Sequence, residues 1–283
     1  MNNMGKSRRL HRLFGDNDKC IIVPIDDSLI SGPKDGLFDL QGKIQQIERA
    51  RPNAILAYAG SAEIISDFSM PIILNITAST VLGQHTNKVL VSSVEYAISI
   101  GADAVAVHLN ISSQYESKML KIAGAVSNEC HRYGLPLMIL TYPRCEKKID
   151  GIISDDNYVE LMQNSNEQYT ELVAHCVRVA YELGADIIKT QYTGSCTSFQ
   201  NVVASAPNKP IVIAGGKNID IDALLQMVEG AIKGGAAGVS IGRNIFNNPN
   251  SDIIISAIRK IIFDDFSASE AKKYYLDSLL EAK

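Results

Sequence analysis

No stretch of the 283-residue sequence approaches the roughly 18 consecutive apolar residues of a membrane-spanning helix, so no membrane partner is expected. The cysteines Cys20, Cys130, Cys145, Cys176 and Cys196 are scattered, odd in number and form no CxxC. That pattern argues against a disulfide framework and fits a reduced compartment. The histidines His11, His85, His108, His131 and His175 form no HxH or HExxH pair, so neither a metal nor a cofactor is expected. His108 sits inside an apolar run and reads as a core or supporting histidine. No G-x-S-x-G elbow, GxGxxG fingerprint or P-loop is present. The net charge of −4 leaves no broad basic field for nucleic acid. The segment Met1–Phe14 is basic but lacks the apolar run of a secretory signal, and a cytoplasmic protein is expected.

What the chain does have is apolar material in a regular order. Hydrophobic residues make up 46% and charged residues 20%, enough for a packed core. Eight short runs are nearly continuously apolar, as strands covered on both faces must be. They are Cys20–Asp26, Ala54–Ala59, Pro71–Thr77, Ala104–Asn110, Pro136–Tyr142, Asp186–Tyr192, Pro210–Gly216 and Gly238–Arg243. Amphipathic stretches separate most of them: Leu40–Ala50, Ser92–Ile100, Gln114–Tyr133, Gln168–Leu183 and Ile221–Lys233, with Asp252–Ile262 after the eighth run. Four of them lead into a glycine: Gly101, Gly134, Gly184 and the pair Gly234 and Gly235. Glycine there stops a helix because it adopts positive φ at little cost. A last helix is expected over Ser267–Leu280, opened by a capping box of Ser267 and Glu270; it either covers the barrel end or packs between subunits. The alternation predicts an α/β chain folded as a single (β/α)8 TIM barrel, spanning about 18–263, with a C-terminal helix at about 267–280. A doubly wound open sheet is the alternative. The longest irregular piece, Pro143–Gln163, reads as a lid or as an ordinary variable loop.

In such a barrel the chemistry gathers at the C-terminal strand ends. Lys189 ends the sixth run. Burial there lowers an amine's pKa and makes it a nucleophile toward a ketone; the bland alternative is a snorkelling or ion-paired lysine. Tyr142, ending the fifth run, serves either as a proton shuttle beside Lys189 or as a loop anchor. Arg144 holds an anionic group or sits on the rim. Asp26 and Asp27 end the first run; one of the two is expected to face the site, because neighbouring residues on a strand point oppositely, and a capping role is the alternative. The last two runs end in Gly215, Gly216 and Lys217, and in Gly242 and Arg243. Glycines let backbone N–H groups approach a phosphate, and these two loops are the recurrent phosphate site of barrels, with Lys217 and Arg243 adding positive charge.

With these residues in view, the chain resembles the archaeal-type class I aldolases of the deoxyribose-phosphate aldolase superfamily. The likeness rests on Val23-Pro24-Ile25-Asp26, Ser31-Gly32-Pro33 with Gly36-Leu37, Gly101-Ala102-Asp103-Ala104-Val105 and Tyr142-Pro143-Arg144. It continues through Gly184-Ala185-Asp186-Ile187-Ile188-Lys189-Thr190, Ile213-Ala214-Gly215-Gly216 and Ile241-Gly242-Arg243-Asn244-Ile245-Phe246. The resemblance implies a Schiff base on Lys189, proton transfer by Tyr142, support from Asp26, and phosphate held by Gly215, Gly216, Gly242 and Arg243. It implies small-molecule partners: a phosphorylated ketose donor (6-deoxy-5-ketofructose 1-phosphate or dihydroxyacetone phosphate) and aspartate semialdehyde as the aldehyde acceptor, in a route to an aromatic or aminohydroxybenzoate-type precursor. It also implies a ring-based homo-oligomer such as a decamer.

The chain departs from the family pattern in four places. Asp26-Asp27-Ser28 stands for Asp-His-Gly, Ala59-Gly60 for Lys-Gly, and Cys145 replaces a glycine after Tyr-Pro-Arg. Leu140 stands where the fructose-bisphosphate aldolases often have tryptophan, a residue the chain lacks altogether. The alternative readings are a class I fructose-bisphosphate aldolase, a phosphorylated-dione thiolase and, from a different class, a non-catalytic phosphate-binding barrel.

Overall fold

The computed structural model describes residues 3–33, 35–65, 69–146, 158–160 and 167–282. Eight strands form its centre: β1 (Cys20–Pro24), β2 (Ala54–Ala57), β3 (Ile72–Asn75), β4 (Ala104–Ile111), β5 (Leu137–Glu146), β6 (Ile187–Thr190), β7 (Ile211–Ala214) and β8 (Gly238–Ser240). Each pairs in parallel with the next, and β8 pairs with β1, so the sheet closes on itself. Closure satisfies every strand edge and removes the open-sheet alternative. The strands are the eight apolar runs, several trimmed at their C-terminal ends: Asp26, Tyr58, Thr77, Gly216 and Arg243 lie beyond them.

Strand parity sorts the core into two layers. Cys20, Ile22, Ala54, Leu56, Ile73, Ala104, Ala106, Met138, Leu140, Tyr142, Ile187 and Val212 share the barrel interior. The alternate residues, such as Ile21, Val23, Ile55, Val105, Ile139 and Ile188, pack outward under the helices. Full burial of each such side chain contributes on the order of 2 kcal/mol, so the two layers together supply the main driving force. The helix Met4–Phe14, which the sequence pattern does not announce, places Leu13 and Phe14 in the interior cluster and stoppers the N-terminal end. Two Gly-Ala-Asp repeats hold it there. The Asp103 carboxylate accepts from Arg12 Nε (2.6 Å) and from the Ile72 amide (3.3 Å). Asp186 pairs with Lys6 (2.6 Å) and accepts from the Leu137 amide (2.9 Å). These acids therefore tie strand starts to the stopper.

The expected helix stops are present: Gly101, Gly134, Gly184 and Gly235 all have positive φ. The terminal helix Ala268–Glu281 opens with the Ser267–Glu270 capping box. It lies along the outer helices Ile221–Lys233 and Ser251–Phe263 rather than over a barrel end. Of the piece expected to be irregular, Pro143–Glu146 belongs to β5, and its last three residues pair antiparallel with 158–160. The remainder of the lid reading, 147–157 and 161–163, lies outside the described residues. No helix among the described residues is long and apolar enough to cross a membrane.

Candidate active site

Register brings the functional side chains to one end of the barrel. Lys189 of β6 aligns with Leu140 of β5 and Val212 of β7, two interior residues, so its own side chain points inward. Tyr142 lies two residues beyond Leu140 and occupies the next interior layer, 4% exposed, with the Arg144 guanidinium 4.1 Å over its ring. His108 of β4 aligns with Leu140 and contributes from the neighbouring strand. A single cavity at the C-terminal ends is lined by Asp26, Asp27, His85, Lys88, His108, Leu140, Tyr142, Arg144, Lys189, Gly215, Gly216, Gly242 and Arg243.

Lys189 is 8% exposed, and among the described residues no hydrogen bond fixes its Nζ. Burial lowers its pKa from 10.5 to about 8; Asp26 opposes this, Arg144 and Arg243 add to it, and Asp27 opposes it. The neutral fraction at pH 7 is then about one in ten, against roughly one in three thousand for an ordinary lysine. The amine is nucleophilic near neutrality, which a snorkelling lysine is not. Burial also holds His108 well below its usual range, with Lys88 and Lys189 adding to the effect. His108 is therefore a neutral ring. Its Nδ1 lies 3.3 Å from Thr77 Oγ1, and its backbone N–H donates to the same hydroxyl at 2.8 Å.

The expectation for the paired acids is corrected. β1 stops at Pro24 and a short helix starts at Asp27, so strand alternation no longer applies and both Asp26 and Asp27 line the cavity. Asn75, at the end of β3, donates to Asp26 Oδ2 at 2.8 Å and fixes that carboxylate. Lys217 is corrected in the other direction. It is exposed and lines no part of the cavity, because Gly216 turns the chain at φ +65 and the next side chain leaves the mouth.

The two glycine loops meet as one surface. A Cβ on Gly242 would stand 2.9 Å from the Pro24 carbonyl oxygen and 3.0 Å from the Phe246 ring, so only glycine fits there. Asn244 staples the loops together. Its Nδ2 donates to the carbonyls of Gly215 (3.0 Å) and Lys217 (3.1 Å), and its Oδ1 accepts from the Ile219 amide (2.9 Å). Ser240 is buried on the same side and lines the cavity, and among the described residues its Oγ has no hydrogen-bond partner. Asn75, Ser240 and Lys88 gave no sequence signal: single polar residues at strand ends and in turns have no period, and only the closed ring makes them converge.

A closed parallel barrel with a buried, weakly basic lysine beside a tyrosine and a glycine-lined surface defines a class I aldolase. The chain belongs to the DeoC/LacD aldolase family, whose model matches residues 20–248. It is 34% identical over 275 residues to 2-amino-3,7-dideoxy-D-threo-hept-6-ulosonate synthase 1 of Archaeoglobus fulgidus, covering 96% of each chain. It is 33% identical to the 2-amino-4,5-dihydroxy-6-oxo-7-(phosphonooxy)heptanoate synthase of Streptomyces griseus, over 94% of this chain and 93% of that one. The crystal structure of an archaeal fructose 1,6-bisphosphate aldolase superposes with a TM-score of 0.78 at 28% identity, covering 91% of this chain and 99% of that one.

Proposed function

We propose that this enzyme joins a phosphorylated ketose donor, dihydroxyacetone phosphate or 6-deoxy-5-ketofructose 1-phosphate, to aspartate semialdehyde. The observation that carries the reading is the Lys189 amine, buried and lowered to about 8, in the same cavity as Tyr142 and the two glycine loops. The names of the two synthase relatives support the substrate pair. The Streptomyces product carries a 2-amino acid at one end of a seven-carbon chain, a phosphate at the other, and a ketone between them.

In this reading the backbone at Gly215, Gly216 and Gly242, with Arg243, holds the donor phosphate. The neutral Lys189 amine attacks the donor ketone, and loss of water gives an iminium. The iminium withdraws electrons from the neighbouring carbon, which yields an enamine by losing a proton, or by losing an aldehyde fragment when the donor is the longer sugar. The enamine carbon attacks the acceptor aldehyde, and Tyr142, whose ring is fixed under Arg144, moves the protons. Asp26, held by Asn75, faces the developing positive charge. Hydrolysis releases the product and returns Lys189.

We read the whole chain as one aldolase domain, acting in the cytoplasm as a ring-based homo-oligomer. The exposed Phe38, Leu82 and Leu280 are apolar surface consistent with such contacts. The direct test is borohydride reduction in the presence of each donor, with mass spectrometry of the Lys189 peptide. The expected result is a donor-sized adduct on Lys189 and none in Lys189→Met. An enzyme that turns over without such an adduct would refute the mechanism. The likeness to the archaeal fructose 1,6-bisphosphate aldolase makes cleavage of that sugar the competing reading; faster turnover of it than condensation onto aspartate semialdehyde would establish it.

A further inference from the structure

Lys88 is 1% exposed, lines the cavity, and its Nζ has no hydrogen-bond partner among the described residues. A buried cation without a partner is costly, and it persists where a ligand supplies the missing charge. Burial, together with Arg144, lowers its pKa from 10.5 to about 7, while Asp26 and Asp27 oppose the shift.

The segment that carries Lys88 is rigidly built. Thr77–Ala78 pairs antiparallel with Val89–Leu90, so Lys88 enters directly from a two-stranded ribbon. Its N–H donates to the Thr86 carbonyl at 3.1 Å. Thr86 in turn donates its hydroxyl to Glu146 Oε1 (2.6 Å) and accepts at its carbonyl from Asn110 Nδ2 (3.1 Å). Lys88 is thus fixed against the ends of β3, β4 and β5. In a ring of eight strands, β3 and β4 stand opposite β7 and β8. The glycine loops thus form one wall of the cavity and the Lys88 segment the other, with Lys189 and Tyr142 on the arc that joins them through β5 and β6.

We propose that Lys88 binds the carboxylate of the acceptor. The assignment rests on the amino-acid aldehyde reading above, and it fits a substrate pair with phosphate at one end and carboxylate at the other. A single ammonium matches a singly charged carboxylate, whereas a second phosphate calls for several donors. Lys88 sets acceptor choice; it forms no bond to the reacting carbons.

The test uses the full-length enzyme with dihydroxyacetone phosphate and three aldehydes. Aspartate semialdehyde carries amine and carboxylate, 4-oxobutanoate lacks the amine, and 3-aminopropanal lacks the carboxylate. In Lys88→Met, kcat/KM is expected to fall about 100-fold for the two carboxylated aldehydes and less than about 3-fold for 3-aminopropanal. Borohydride trapping of the donor on Lys189 is expected to stay within about 2-fold. Equal losses for all three aldehydes, or lost donor trapping, overturn the proposal. A wild type that treats the three aldehydes alike removes the amino-acid acceptor itself. A wild type selective for carboxylate whose selectivity survives Lys88→Met overturns Lys88 alone. Replacing a buried unpaired amine by methionine is expected to raise the melting temperature at pH 7. Lys88→Gln repeats the series, and the wild type provides a readout that needs no variant: butanoate should compete with the aldehyde and not with the donor. Absence of that competition well above the acceptor KM also overturns the proposal.

Discussion

The pH dependence of iminium formation is the sharpest test of the Lys189 environment. The perturbation is pH itself, read on the donor half-reaction without acceptor: enzyme and donor are mixed, quenched into borohydride at successive times, and the initial rate of adduct formation is followed by mass spectrometry. The attacking species is the neutral amine, so the rate rises with pH and levels off once Lys189 is deprotonated. With a pKa of about 8, the rate should rise roughly 25-fold between about pH 6.5 and 8.5 and flatten above about pH 9. An ordinary lysine would give a rise of about 100-fold over the same interval and no plateau. Charge variants fix the sign. The Asp26 carboxylate favours the ammonium, so Asp26→Asn should move the midpoint down; Arg144 disfavours it, so Arg144→Met should move the midpoint up. Lys88→Met should leave the profile in place, because Lys88 is not among the charges that shift Lys189. A log-linear rise to pH 10 in the wild type, or shifts of the opposite sign in both variants, would refute the claim that burial activates this amine.

Two further outcomes test the surrounding machinery. Tyr142→Phe keeps the ring under Arg144 and removes only the hydroxyl; kcat for condensation should fall by about 10²–10⁴ while donor trapping on Lys189 persists, and an unchanged kcat would remove Tyr142 from proton transfer. Asn244→Ala strips three hydrogen bonds that join the two glycine loops. It should cost about 1–3 kcal/mol of stability in denaturant unfolding and raise the donor KM more than the acceptor KM in steady-state kinetics.

The order of short apolar runs, amphipathic stretches and glycine stops determined the barrel. Each signal is local: a strand buried on both faces must be apolar throughout, and a helix stop needs a residue that tolerates positive φ. The same order placed Lys189, Tyr142, Asp26, Gly215, Gly216, Gly242 and Arg243 at the strand ends where they converge. Tertiary structure decided what happens once the chain leaves a strand. Alternation predicts one inward acid after β1, yet the strand ends two residues before Asp26-Asp27 and both reach the cavity. The positive charge expected from Lys217 turns away after Gly216. Asn75 and Asn244 bond to partners tens of residues distant, which no period in the sequence records. The stopper helix Met4–Phe14 depends likewise on Asp103 and Asp186, far along the chain. Local patterning fixes which residues are strand or helix, whereas the direction of a loop side chain is set by contacts that exist only after the ring has closed.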